Sequence, residues 1–136
     1  MAVTLSTSAR NAQADATIGL LDAGSGPGTI KLYTGGKPAS PEAAATGTLL
    51  ATVVLPDPAS TAASNGTDTI IDPASVTYVA SGTAAWARLA DSAGNAVMDV
   101  LVSDTAGTGD IKLSSTTAAP GITVDMAALP FTVLAS

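Results

Sequence analysis

The chain has 136 residues, no histidine and no cysteine, and its 11 acidic and 5 basic side chains leave a net charge of −6. It therefore lacks the commonest general base, the commonest transition-metal ligands and the best thiol nucleophile. The acidic balance disfavours contact with a phosphate backbone. We expect no enzyme, no cofactor and no nucleic-acid partner.

Apolar residues make up 46% of the chain and charged residues only 12%. No stretch approaches 18 consecutive apolar residues, and the N-terminus lacks the basic start and apolar core of a signal peptide, so we expect no membrane partner. Small residues packed tightly in strands would explain this composition. A surface partly covered by partners is the alternative explanation.

Residues 8–22 are the one segment whose pattern predicts a helix. Ser8 is the expected N-cap, and Gly24 is the expected stop. The glycine-rich residues 24–28 then follow a helix and precede a strand. Phosphate-binding glycine loops have the reverse order, so a nucleotide site is not predicted. The expected apolar stripe consists of Ala9, Ala12, Ala16 and Leu20, widened by Ile18 and Leu21.

Beyond Gly28 the pattern is typical of β-strands. Ile30, Leu32 and Thr34 alternate onto one face of the first strand. The apolar residues 47–55 predict a strand that is buried on both faces. The expected strands span residues 29–34, 47–55, 67–71, 75–81, 82–90, 96–102, 111–113, 121–125 and 131–134.

The best hairpin joins residues 82–90 to 96–102. Asp91 followed by Gly94 predicts a type I turn closed by a glycine bulge. Seven to nine short strands at about ten-residue spacing predict a mainly β, antiparallel β-sandwich or jelly-roll-like domain, with a small barrel as a further possibility. We expect residues 1–28 to form an N-terminal arm, a short helix and the loop. Residues 29–136 then form the β-sandwich, within one compact domain.

The acidic residues mostly neighbour glycine, proline or serine, which is typical of turn formers. The loop 104–110 is a weak candidate for calcium, because its spacing does not match an EF-hand. Serine and threonine hydroxyls have no obvious activating base. We therefore predict no catalytic, cofactor-binding or metal-binding residues.

Trp86 and Arg88 alternate onto one face of the hairpin, and with Tyr33 they are the candidate interface residues. One interpretation makes Trp86 and Arg88 a cation–π pair or an interface anchor. The other buries Trp86 in the core and places Arg88 at the sheet rim, paired with an acid such as Asp99. Residue patterns alone leave both interpretations open.

The order of elements resembles that of the small virion proteins of tailed bacteriophages, in particular head decoration or cement proteins. A short helix and a glycine-rich loop lead into further segments in the same order. The resemblance covers residues from about 10 to 134. The segments that carry it are 29–38 (TIKLYTGGKP), 47–55 (GTLLATVVL), 80–91 (ASGTAAWARLAD) and 94–99 (GNAVMD).

The resemblance implies a homo-oligomer, dimer or trimer, on the outer surface of a phage capsid. There it would clamp subunits of the major capsid protein, after residing in the host cytoplasm during assembly. The alternative is a receptor- or glycan-binding module of a phage tail fibre or bacterial adhesin.

Overall fold

The computed structural model describes residues 3–126 and 128–135. The fold is mainly β, with 36% strand and 12% helix, and its curled, mostly antiparallel sheets form a β-sandwich-like domain. This confirms the predicted fold class. The outermost residues of the predicted arm and domain (1, 2 and 136), and residue 127, lie outside the described residues.

The described residues contain one α-helix, a short 3₁₀ turn (Leu20–Asp22) and eleven strands. Four of these strands have only two residues. The elements are α1 (Thr7–Gly19), β1 (Thr29–Tyr33), β2 (Leu49–Val54), β3 (Thr67–Ile70), β4 (Val76–Thr77), β5 (Gly82–Thr83), β6 (Trp86–Ala90), β7 (Ala96–Asp104), β8 (Ile111–Leu113), β9 (Thr117–Ala118), β10 (Thr123–Val124) and β11 (Leu129–Thr132).

Five strands form the main sheet, in the order β2-β1-β6-β7-β8. Its pairs are antiparallel except for β7 and β8, which run parallel. The remaining strands pair as β10-β4, β11-β3 and β5-β9. The expected single strand over 82–90 is wrong, because it is split into β5 and β6, and β9 was not predicted. Short, non-local pairings of this kind leave no periodic signal.

The hydrophobic core lies against one face of the main sheet. Ile30 and Leu32 of β1 are fully buried there, beside Ala87 and Leu89 of β6. This confirms the predicted alternation of the first strand for those two residues. Thr34 lies beyond the end of β1 and is half-buried.

Burial of β2 on both faces was predicted and is wrong at the strand ends. Leu50 and Ala51 are buried, but Leu49 is 36% exposed and Val54 49% exposed. The register with β1 shifts between Leu49 and Ala51, which is the pattern of a β-bulge at Leu50. The bulge buries two successive residues, Val53 is buried as well, and only the two end residues of the strand are exposed.

Helix α1 begins two residues earlier than predicted. Ser6, and not Ser8, is the N-cap, and its Oγ accepts a hydrogen bond from the Ala9 amide at 3.1 Å. Across α1 and the 3₁₀ turn that follows it, the buried side chains are Ala14, Ile18 and Leu21, whereas the expected stripe residues Ala12, Ala16 and Leu20 are exposed. Ile18 and Leu21 decide the buried face because an alanine stripe offers little apolar area.

The predicted turn between β6 and β7 is confirmed. The Asp91 carbonyl accepts a hydrogen bond from the Gly94 amide at 3.1 Å, and Gly94 adopts a φ of 90°. The Asp91 carboxylate accepts hydrogen bonds from the amides of Ala93 and Asn95 at 3.0 and 2.9 Å. This local turn chemistry connects β6 to the antiparallel strand β7.

Candidate functional site

The candidate site lies on the outer face of the main sheet, the face turned away from the hydrophobic core. Side chains alternate between the two faces of a strand. Ala87 and Leu89 point into the core, so Trp86 and Arg88 lie on the outer face. Strand register sets Trp86 opposite Tyr33 and Arg88 opposite Asp99.

Tyr33 and Trp86 form an aromatic stack across two strands. Their ring centroids lie 4.7 Å apart, and the ring planes are inclined by 14°. The indole N–H of Trp86 donates to the Thr34 carbonyl at 3.2 Å. The Cζ of Arg88 lies 5.5 Å from the centroid of the Trp86 ring, within cation–π range. The structure thus brings the three candidate interface residues together.

Arg88 and Asp99 form a two-pronged ion pair beside the stack. Arg88 Nε donates to Asp99 Oδ1 at 2.8 Å, and Nη2 donates to Oδ2 at 2.9 Å. The side chains are only 12% and 2% exposed. The hydrogen bond to Asp99 raises the pKa of Arg88 above its ordinary value. Charged hydrogen bonds with this geometry fix both side chains.

The two sequence-based interpretations of Trp86 and Arg88 are therefore both partly realised. The cation–π contact exists, and the predicted pairing of Arg88 with Asp99 also exists. Trp86 is fully buried, as the core interpretation required. Its exposed fraction is zero, so Trp86 itself presents no surface to a partner, and the surface nearby must come from its neighbours.

A loop between β1 and β2 borders this cluster. Its base is closed where the Thr34 amide donates to the Thr48 carbonyl at 3.1 Å, and the Thr48 amide donates to Thr34 Oγ1 at 2.9 Å. Gly47 has a φ of 86°, and a Cβ there would overlap the Thr34 carbonyl. Only glycine fits this closure without strain.

An open polar groove of about 420 Å³ lies between this loop and the turn after β6. Arg88 and Glu42 line it, together with Asn95. A hydrogen bond from Ser40 lowers the pKa of Glu42, so Glu42 is anionic at neutral pH. These groups can take part in hydrogen bonds and ionic contacts with a partner surface.

Two residues that the sequence reasoning did not single out extend the site. Strand register places Leu49 opposite Tyr33 and Leu101 opposite Trp86. The resulting apolar row, Leu49–Tyr33–Trp86–Leu101, crosses four strands of the outer face. Leu49 is 36% exposed and Leu101 49% exposed, so the row is open at both ends.

Alternation along β7 from Asp99 would have found Leu101. The position of Leu49 could not be predicted from alternation, because the bulge at Leu50 interrupts it. Regular alternation from Val53 through Ala51 would have turned Leu49 into the core.

The carboxylates of the loop 104–110 bind backbone groups. Asp104 accepts hydrogen bonds from the amides of Ala106 and Gly107, both at 3.0 Å, and Asp110 accepts one from Leu101 at 3.2 Å. Across the described residues no group of three or more acidic side chains is arranged to hold a metal ion. Among residues 3–126 and 128–135, no helix is long and apolar enough to cross a membrane.

Comparisons with protein-family models, with curated proteins and with solved structures found no match to this chain.

Proposed function

We propose that the protein is a structural virion protein that decorates a phage capsid on its outer surface. It stabilises the particle by clamping neighbouring subunits of the major capsid protein. The order of elements along the sequence motivates this role. The observation that supports it best is the apolar row Leu49–Tyr33–Trp86–Leu101, open at both ends on the surface of an acidic protein.

Strand register places all four members of the row on one face of the sheet. The exposed apolar area of the row comes from Leu49 and Leu101 at its ends and from the half-buried Tyr33, because Trp86 is buried. Exposed apolar side chains grouped on one face of a sheet can serve as a contact site. Tyr33 stacks on Trp86, and the ion pair holds Arg88 beside them. Leu49 and Leu101 therefore project from a rigid base, which lowers the entropy lost on binding.

The groove beside Arg88 would supply the polar rim of such an interface. Arg88, Glu42 and Asn95 offer hydrogen-bonding groups next to the apolar row. Interfaces commonly combine an apolar centre with a polar rim.

A decoration protein of this kind would bind the capsid multivalently. Modest contacts, copied by capsid symmetry and joined within a dimer or trimer, add up to tight overall attachment. The net charge of −6 suits an outer surface, since an interior position would repel packaged DNA.

The test compares particles assembled with and without the protein. Particles without it should form and should resist heat and osmotic shock less well. If they are equally stable but fail to adsorb to cells, the cement function is wrong and the receptor-binding alternative replaces it.

A pair of double variants tests the surface. Leu49→Ser with Leu101→Ser should lower the occupancy of purified particles, while the isolated subunit keeps its fold. The matched control is Val79→Ser with Ile122→Ser, since these two residues are 67% and 48% exposed and lie outside the row. Equal loss of occupancy in both double variants would exclude the row as the contact surface.

A further inference from the structure

A second surface lies at the open edge of the sandwich. A groove of about 480 Å³ separates the outer edge of β7 from β11. Among the described residues that line it, the charged ones are Asp99 and Asp110, and none is basic. Its apolar lining consists of Ile70, Met98, Val100, Leu129, Pro130 and Phe131.

The backbone of β7 is open at this groove. The Val102 amide donates inwards to the Ala85 carbonyl at 3.0 Å. Because backbone groups of an antiparallel strand alternate in direction, those of Val100 also face β6, and those of Asp99 and Leu101 face away. Asp110 Oδ2 accepts from the Leu101 amide, and β8 pairs only with residues from Val102 onwards. The Asp99 backbone groups thus have no strand partner among the described residues.

The apolar side chains in the groove are incompletely covered parts of the core. Met98, Val100 and Phe131 are half-buried and pack against the core cluster. An extended chain between β7 and β11 would bury them further. It would also pair with the Asp99 backbone, which is the arrangement of strand addition to a sheet edge.

Charge indicates which kind of chain the groove would bind. The Asp99 carboxylate is neutralised by Arg88, whereas Asp110 is exposed, accepts a hydrogen bond from the neutral Leu101 amide and forms no salt bridge among the described residues. A lysine or arginine in the added chain would therefore find a carboxylate without a countercharge. A second copy of this chain, itself at −6, would bring no net positive charge to this groove, so it is disfavoured as the occupant here, whereas self-association would use other surfaces.

We propose that this groove binds an extended segment of a partner protein. The segment has apolar residues at alternating positions and a lysine or arginine that pairs with Asp110. The inference concerns where such a segment binds, and it does not rest on the partner being a capsid protein. The groove lies at the β7 edge and is distinct from the apolar row of the outer face.

The test uses two labelled synthetic nine-residue peptides that alternate valine and threonine. One peptide has a central lysine and the other a central glutamate. The lysine peptide should bind the full chain about tenfold more tightly at low salt, as measured by fluorescence anisotropy. Amide NMR shifts should move at Asp99, Leu101 and Phe131.

Asp110→Asn keeps an oxygen for the Leu101 amide and removes the charge. It should weaken binding of the lysine peptide about two- to fivefold, the range of an exposed ion pair. The matched control Asp57→Asn removes an exposed carboxylate after β2, at the opposite edge of the main sheet, and should leave binding unchanged.

Three results would overturn the proposal. The first is that neither peptide binds, and the second is that both peptides bind equally. The third is concentration-dependent dimerisation of the free chain that protects the Asp99 amide from exchange, because it would make a second copy the occupant. Particle stability is measured separately, so a failed peptide test leaves the capsid proposal standing.

Discussion

Two buried aspartates show how partners decide the behaviour of one residue type. The Asp99 side chain is 2% exposed, and the Arg88 guanidinium binds both of its oxygens. Asp68 on β3 is 1% exposed, and its Oδ2 accepts a hydrogen bond from Ser60 Oγ at 3.0 Å. Its Oδ1 has no hydrogen-bond partner among the described residues.

The charges near Asp68 are also unfavourable. Asp15 and Asp22 approach it from the helical segment, where they accept hydrogen bonds from the amides of Ala63 and Ala59. Burial, above all, raises the pKa of Asp68 from its ordinary value of 3.8, and the neighbouring Asp15 and Asp22 raise it further. At similar side-chain burial, the charge of Asp99 is therefore compensated by Arg88, whereas the charge of Asp68 is poorly compensated.

The largest expected loss of stability comes from removing Trp86, whose ring lies beside Arg88 of the ion pair. Trp86→Ala should lower the free energy of unfolding by about 3–5 kcal/mol, as for other large-to-small changes at buried sites. Denaturant unfolding of the isolated subunit measures the loss. Leu101→Ala, at a half-exposed position beside it, is the control with a smaller expected loss. Wild-type stability of Trp86→Ala would contradict the structural role of the stack.

The next largest loss of stability is expected from breaking the ion pair between Arg88 and Asp99. Arg88→Met should cost about 3 kcal/mol, because it leaves the Asp99 carboxylate buried without a cation. The double variant with Asp99→Leu should recover most of this loss, since it removes the stranded charge. Equal losses in the single and double variants would mean that Arg88 acts through packing alone.

The smallest expected change in stability is a gain and not a loss. Asp68→Asn should stabilise the protein by on the order of 1 kcal/mol at pH 7, because it removes a poorly partnered buried charge and still accepts from Ser60. Asp99→Asn is the contrasting control and should destabilise. A loss of stability in both variants would show that the Asp68 carboxylate is compensated after all.

The gain from Asp68→Asn should depend on pH. The folded-state pKa of Asp68 lies above the unfolded value, so protonation favours the folded state. The advantage of the variant should therefore be complete above the raised pKa and should vanish as the pH falls towards 3.8. Unfolding curves of both proteins across this window measure the difference.

Much of the scaffold was predictable from local patterns. The alternation around Ile30 and Leu32, and the turn from Asp91 to Gly94, depend only on neighbours in sequence. The same alternation placed Trp86 and Arg88 on one face and suggested the pairing with Asp99. Each of these features follows from strand geometry or turn chemistry acting over a few residues.

Other features required the folded chain. The buried face of α1 was misjudged because it is set by packing of Ile18 against elements distant in sequence, and not by the alanine stripe. The parallel pairing of β7 with β8 left no signal in the sequence pattern.

The sequence by itself determined the strand-forming composition, the acidic charge, the lack of histidine and cysteine and the best hairpin. Only the tertiary structure decided that Leu49 lies beside Tyr33, that Asp68 is buried next to other acids and that the β7 edge stays open. The physical reason is that bulges, sheet edges and charge environments arise where distant segments meet. One shifted residue in a strand reverses the face of every side chain beyond it.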